Sequence, residues 1–315
     1  MKPGKPCDHA GFETAITGSR PNNRILSLRI AAAIATAGRP QLLRAMLDEL
    51  ARQTRAPDRI VVCAPSADDV GDLPADPTVE VVIGPRGLTR QRNAILARLA
   101  EFDVAAFFDD DFLPSPQYLA VVERVFATNP DICMVTGEVI ADGIIGPGLA
   151  LDEGRRRLVA AHSDSGALLP VSSGYGCNMA VRLAAARAAH SCFDERLPLY
   201  GWLEDLDFSR QLARHGRIVK ATAAQGVHLG FKRGRQSGVR LGYSQIANPI
   251  YLLRKGTCPW PRALRLMSRN MAANLLRSLN PEPYVDRVGR MIGNLKAIKD
   301  LLLGRLDPQR ILEFE

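Results

Sequence analysis

Short apolar runs alternate with helix-periodic segments through the first two thirds of the chain. Residues 28–35 (LRIAAAIA) are almost continuously apolar, the pattern of a strand covered on both faces. After a turn at Thr36 to Arg39, Pro40 suits a first helical position, where its missing N–H costs nothing. Leu43, Met46, Leu47 and Leu50 then recur at helical spacing. RIVVC (59–63) and VEVVI (79–83) read as two more strands, 89–99 as a helix, and VAAFF (104–108) as a buried strand. This βαβ alternation predicts an α/β fold with a mainly parallel sheet and helices on both faces.

Ser115 and Pro116 have the chemistry of an N-cap and a first residue, predicting a helix to Ala127, and 133–139 reads as a strand. From Asp142 to Pro170 the pattern weakens into GIIGPG, DEGRRR and HSDSG, a candidate mobile or substrate-facing segment. RIVKATAAQGV reads as a strand leading to His228. Beyond it the pattern is helical to the end, divided by Pro259, Pro261, Pro281 and Pro283. The first residues lack any hydrophobic period. The expected organisation is therefore a flexible arm over 1–24, an α/β domain over 25–231 and a helical region over 232–315.

Composition narrows the class. With 46% hydrophobic and 23% charged residues the chain is an ordinary globular sequence, and no run approaches the roughly 18 apolar residues of a membrane span. The N-terminus shows no signal-peptide core, so the expected location is the cytoplasm, with peripheral contact at the inner face of the membrane as an extension of that. Six scattered cysteines without a CxxC pair point to free, mostly buried thiols. Charge changes the picture more. Residues 232–315 hold 16 Lys and Arg against six Asp and Glu, a local +10 that leaves −2 of the total +8 for the rest. Such a tail suits an anionic membrane surface, a phosphorylated acceptor or nucleic acid, and equally a solvated helical face. Nucleic acid is the weakest of these, since Tyr243, Tyr251 and Trp260 are the only aromatics that interleave the basic residues up to Trp260. The stretch from Ala247 to Leu279 combines apolar and basic residues with Trp260. It reads as a surface for an anionic bilayer, or as a helical subdomain or homodimer interface.

The sharpest chemical signal is FFDDDF, where an apolar strand ends in Asp109, Asp110 and Asp111. Ligands collect at the carboxyl ends of strands in open α/β sheets. If the backbone stays extended, Asp109 and Asp111 share one side and Asp110 takes the other, and two carboxylates on one side suit a hard divalent ion. WLEDLDFSRQLARHG (202–216) places Glu204 and Asp205 at a helix start, where acids are favoured whether or not they act as bases. Gly174 and Gly176 in SSGYGCNMAVR allow close backbone approach or a plain turn. His228 is a candidate third metal ligand.

Together IATAGRP, GLTRQRNAIL, FFDDDF, GYGCNMAVR, FDERLPLYGWLEDLDFSRQLARHG and the late His228 resemble, in order and spacing, the family 2 glycosyltransferases of the GT-A fold, over residues 28–231. The resemblance implies a nucleotide-diphosphate sugar donor, a UDP-sugar being favoured. It also implies Mn²⁺ or Mg²⁺, a saccharide or lipid-linked acceptor, and a setting in bacterial surface polysaccharide assembly. Carried over residue by residue, it makes Asp109 and Asp111 the DxD pair, with Asp111 the direct metal ligand, Asp109 near ribose and phosphates, and Asp110 with them on the donor side. Asp205 becomes the catalytic base of inverting members. Thr36, Arg39, Arg92 and Asn93 become donor-binding; Gly174, Gly176, Trp202 and Glu204 fall on the acceptor side; His228 is metal-side. One departure stands out: VVCAPSADD replaces a VDDGS-like segment, leaving Asp68 or Asp69 to serve the base from a shifted loop. The rival readings are a nucleotidyltransferase, which IATAGRP disfavours for want of a glycine- and basic-rich loop, and a non-catalytic nucleotide-sugar or nucleic-acid binder.

Overall fold

The apolar runs become the interior strands of a mixed nine-stranded sheet in a computed structural model that describes residues 27–161, 166–232 and 237–314. The arm expected over 1–24 lies outside these residues, as does most of HSDSG. Strands β1 (Ile30–Ala35), β2 (Arg59–Ala64), β3 (Val79–Ile83) and β4 (Val104–Asp109) are parallel in the order β3-β2-β1-β4. They are joined through helices α1 (Pro40–Ala51), α2 (Ala67–Val70) and α3 (Leu88–Leu96). Side chains alternate across β4, so Phe108 enters one core with Ile34, Val62 and Tyr118, while Phe107 enters the other with Val61, Phe193 and Phe208.

The second half is not a continuation of the parallel pattern. It comprises β5 (Phe112–Pro114), β6 (Ile132–Asp142), β7 (Leu168–Pro170), β8 (Asn178–Arg182) and β9 (Arg217–His228), with α4 (Tyr118–Thr128), α5 (Leu151–Ala160), α6 (Leu183–Ala188) and α7 (Glu204–Leu212). Strand β8 runs antiparallel to both β4 and β6, and β5 and β7 are antiparallel to β9; only β6 and β9 pair in parallel. The weakly patterned stretch after Asp142 is thus structured on both sides of its undescribed residues. Within α5, Gly154 leaves room for Leu113, Val227 and Leu229, and β7 caps the edge of β9.

Two local expectations are corrected. The helix predicted from Ser115 and Pro116 begins at Tyr118, because Ser115 N–H donates to Gln225 O (2.9 Å) and keeps the chain paired with β9 one residue beyond β5. The acidic run is not extended throughout: β4 ends at Asp109, and Asp110 and Asp111 turn into β5.

Helices α8 (Gly238–Lys255), α9 (Trp260–Arg277) and α10 (Arg287–Leu302) pack on one another, and a 3-10 turn over Pro308–Glu313 closes against α8. A buried amide cluster registers the three: Asn274 Nδ2 donates to Gln245 Oε1 (2.8 Å) and Asn294 Oδ1 (2.9 Å). Helix α8 is seated on the sheet domain by Lys255 and Thr257, which both reach the fully buried Asp207 at 2.7 Å. Five described cysteines are free, four of them buried. No helix among the described residues is long and apolar enough to cross a membrane.

Candidate active site

The carboxyl ends of β1, β4, β6 and β9 converge, and register explains which side chains meet. Ala35 pairs with Asp109, so Thr36 and the following turn lie beside the acidic run. His228, the last residue of β9, pairs with Asp142 on one side and with Phe112 on the other, one residue after Asp111. Ligand atoms of Asp109, Asp111 and His228 accordingly lie within 4.8 Å of one another. His228 Nε2 stands 3.5 Å from Asp111 Oδ1, while Nδ1 is 2.8 Å from Asp142 Oδ1. Asp142 also accepts from the Tyr175 hydroxyl (2.9 Å) and the Ile144 amide (2.9 Å). This fixes the imidazole so that Nε2 faces the acids, the arrangement of carboxylate-oriented metal histidines.

Asp110 is not part of that cluster and is bound instead by the turn after β1. It accepts from Thr36 Oγ1 at 2.6 Å and pairs with Arg39 at 2.8 Å, and Arg39 also reaches Asp111 at 3.6 Å. Thr36 is itself buried and its hydroxyl is spent on Asp110, so of the two residues in this turn it is Arg39 that keeps an open face. Asp69 meets the same turn, accepting from the Gly38 amide at 2.6 Å and from Ser66 Oγ at 2.7 Å.

Electrostatics separates the acids. Burial raises the Asp110 carboxyl to about 7 against the opposing pull of Arg39. Burial also works against ionisation of Asp111, but His228, Arg39 and the Phe231 amide outweigh it and hold that carboxyl at about 2. His228 is pushed up to about 10, since Asp111 and Asp142 overcome the cost of burying its charge. In this state a proton on the imidazole balances the acids. Two carboxylates and one oriented imidazole fit a hard divalent cation, which would take that proton's place.

Arg92 links this cluster to the acidic helix. Its guanidinium is almost wholly buried and donates to Glu204 Oε1 (2.6 Å), Asp109 Oδ1 (3.0 Å) and Gly176 O (2.8 Å), with Phe193 beneath it. Gly176 in turn donates its N–H to Asp205 Oδ2 (3.1 Å), and Leu206 N–H donates to Oδ1 (2.7 Å). Burial raises the Asp205 carboxyl despite both amides and Arg92. Burial likewise pushes Glu204 well up, and Glu204 Oε2 has no hydrogen-bond partner among the described residues.

Other expected residues are engaged elsewhere. Asn93 spends its side chain on the Phe193 backbone and Glu195, so it braces the loop before α7. Gly174 donates to Ser209 Oγ and packs on Met134 and Met179; a Cβ there would lie 2.8 Å from the Met134 sulfur. A Cβ on Gly176 would lie 2.9 Å from Glu204 Oε1, which is why a glycine is needed in that cradle. The Trp202 carbonyl accepts from Asn248 Nδ2 (2.7 Å), tying the helix start to α8. Sequence reasoning missed Asp142, Tyr175 and Gln91. The last of these is buried and clamps the ends of β1 and β2 through Thr36 O and Cys63 O, both at 2.8 Å. Asp142 carried a usable signal, an acid at the carboxyl end of a predicted strand region.

This combination of a Rossmann-like half sheet, a strand-end acidic cluster and a second acid at a helix start defines a GT-A type of protein. Residues 28–225 match the family model described as "Glycosyltransferase like family 2", and the chain belongs to that family. Three solved structures share the fold. The mannosyltransferase PcManGT from Pyrobaculum calidifontis, in complex with GDP-Man and Mn²⁺, is 16% identical, with 87% of this chain and 88% of that one covered and a TM-score of 0.51. S. aureus TarS 1-349 is 14% identical, with 90% and 82% covered and a TM-score of 0.53. GalNAc-T7 with UDP, GalNAc and Mn²⁺ is 13% identical, with 89% and 59% covered and a TM-score of 0.53. No curated protein sequence is detectably similar to the chain.

Proposed function

We propose that this glycosyltransferase moves a sugar from a nucleoside-diphosphate sugar, a UDP-sugar being favoured, onto the hydroxyl of a saccharide or lipid-linked acceptor, with inversion. We place the activity in assembly of a surface polysaccharide or glycolipid. The observation that carries the reading is the Arg92 bridge, which holds the Asp109/Asp111/His228 cluster and the Glu204–Asp205 helix start on either side of one buried cation.

Asp111, His228 and Asp109 are the residues that would hold Mn²⁺ or Mg²⁺. Bound there, the ion supplies positive charge against the diphosphate as it leaves. Arg39, on the open side of the acidic turn, adds a fixed cation for the same phosphates. Thr36 and Asp110 keep Arg39 in place. Asp205 acts as general base: its carboxylate takes the proton from the acceptor hydroxyl, whose oxygen attacks the anomeric carbon from the face opposite the nucleotide. A carboxyl raised by burial is a better proton acceptor than an exposed one. Glu204 stays with Arg92 and serves to position its neighbour. The PcManGT and GalNAc-T7 structures, with their nucleotide ligands and Mn²⁺, support the choice of donor class. Anomeric proton NMR of the product tests the stereochemistry: inversion is expected, and retention would remove the assigned role of Asp205.

A further inference from the structure

Helices α9 and α10 present an apolar face that nothing among the described residues covers. Trp260, Leu264 and Leu275 follow one outward row of α9, and Val288, Leu295 and Leu302 follow one of α10; all six are 47–81% exposed. Isolated exposed leucines are ordinary, but exposed apolar rows on two helices that pack on each other are of the kind that marks an interaction surface. The charges beside them are all of one sign. Arg265 and Arg269 flank the stripe on α9, and Lys296 and Lys299 flank that on α10. None of the four joins an ion pair among the described residues. Helix α9 contains no acid, and the only one in α10, Asp300, is buried and held by Arg305, Arg310 and Tyr243. A second copy of this face would therefore meet like charge across the interface. An anionic lipid surface supplies both an apolar layer and the opposite sign.

We propose that the outward face of α9 and α10 docks in the plane of an anionic lipid bilayer. Its placement gives the docking a purpose. The stripe starts at Trp260, an interfacial aromatic, and two residues on Arg262 donates to Ser172 Oγ (2.8 Å) and Ser173 Oγ (3.3 Å). Ser173 leads directly into the Gly174–Gly176 cradle whose amide holds Asp205. Helix α9 thus carries the stripe on one side and, about half a turn round, a tie through Arg262 to the segment before the cradle; the acceptor would be presented from the membrane, as a lipid-linked saccharide or lipid headgroup hydroxyl. That consequence rests on the transferase reading; the docking itself does not.

The test is co-sedimentation of the full chain with vesicles of phosphatidylcholine alone and with about one third phosphatidylglycerol, at moderate and high salt. Partition to the anionic vesicles should be at least about tenfold stronger, weaken with salt, and fall about tenfold or more in Leu275→Glu/Leu295→Glu. Circular dichroism and nucleotide binding of that variant should be unchanged, since both leucines are exposed and remote from the acids. Equal partition to neutral and anionic vesicles overturns the proposal, and so does absence of binding to either. A dimer in solution that the same variant converts to monomer, without vesicle binding, overturns it in favour of self-association. None of these outcomes bears on nucleotide binding, so a failed docking leaves the transferase reading intact.

Discussion

Replacing Arg92 by Met removes the one cation shared by Glu204 and Asp109 while keeping most of the side-chain volume. Three hydrogen bonds are lost, at 2.6, 3.0 and 2.8 Å, from a guanidinium that is 1% exposed. The partners suffer unequally. Asp109 is a quarter exposed and can turn to water, whereas Glu204 is 6% exposed and its Oε2 is already unpaired. The dominant cost is an uncompensated buried carboxylate, about 3–5 kcal/mol near neutral pH. At this chain size that corresponds to a fall in Tm of roughly 5–10 °C, readable by differential scanning calorimetry. The sign with pH follows from Glu204, whose folded carboxyl is already raised by burial and would rise further without Arg92. A raised acid stabilises the fold while protonated and loses that contribution as pH climbs above the ordinary carboxylate value towards the folded one. The deficit of the variant should therefore shrink as pH falls. Adding Glu204→Gln should recover more than half of it, because a neutral amide leaves no charge to strand. A deficit below about 1 kcal/mol, or one that neither low pH nor Glu204→Gln reduces, would refute the reasoning.

Three other expectations follow from the site. Asp205→Asn should lower kcat about 10²- to 10⁴-fold while leaving nucleotide affinity within about twofold, measured by steady-state kinetics and calorimetry; a normal kcat excludes Asp205 as the base. The wild-type kcat/KM profile should lose activity as pH falls through a limb above the usual aspartate range, because burial raises Asp205 and the base must be ionised. A limb at or below that range contradicts the assignment. Asp142→Asn should weaken Mn²⁺ binding about 10- to 100-fold in a paramagnetic-resonance titration, by releasing the His228 ring, whereas Tyr175→Phe should do less; unchanged affinity would show that Asp142 does not orient the ligand.

The elements that were legible in the sequence are those whose side chains face apolar neighbours on both sides. LRIAAAIA, RIVVC and VAAFF admit little but a buried strand, and β1, β2 and β4 occupy them. VEVVI, a half-exposed edge strand legible from its β-branched residues instead, is β3 to the residue. The antiparallel half was hidden because β5 and β7 are three residues long and owe their pairing to β9 rather than to any pattern of their own. The carboxylate run announced itself by composition, whereas the turn at Asp110 and Asp111, where Arg39 meets both acids, lay outside the period argument. Asn93 and Arg92 show the limit of neighbouring residues in a motif: the rotation of about 100° per residue along α3 sends Arg92 inward beneath the acids and Asn93 to the loop at Phe193. The partnership of Asp142 with His228 became visible only through register. That pairing lies beyond three register shifts between β6 and β9, and such irregularities leave no periodic trace in either strand.

The central claim, a nucleoside-diphosphate sugar site organised by Asp111, is tested most directly by calorimetric titration of the protein with UDP, GDP, CDP and dTDP. Each is titrated with Mn²⁺ and with chelator, beside Asp111→Ala. The account predicts that one nucleotide, UDP by preference, binds in the presence of Mn²⁺, that chelation weakens it, and that Asp111→Ala abolishes the metal-dependent part. Binding that is indifferent to both metal and Asp111, or no binding of any nucleotide, would contradict it.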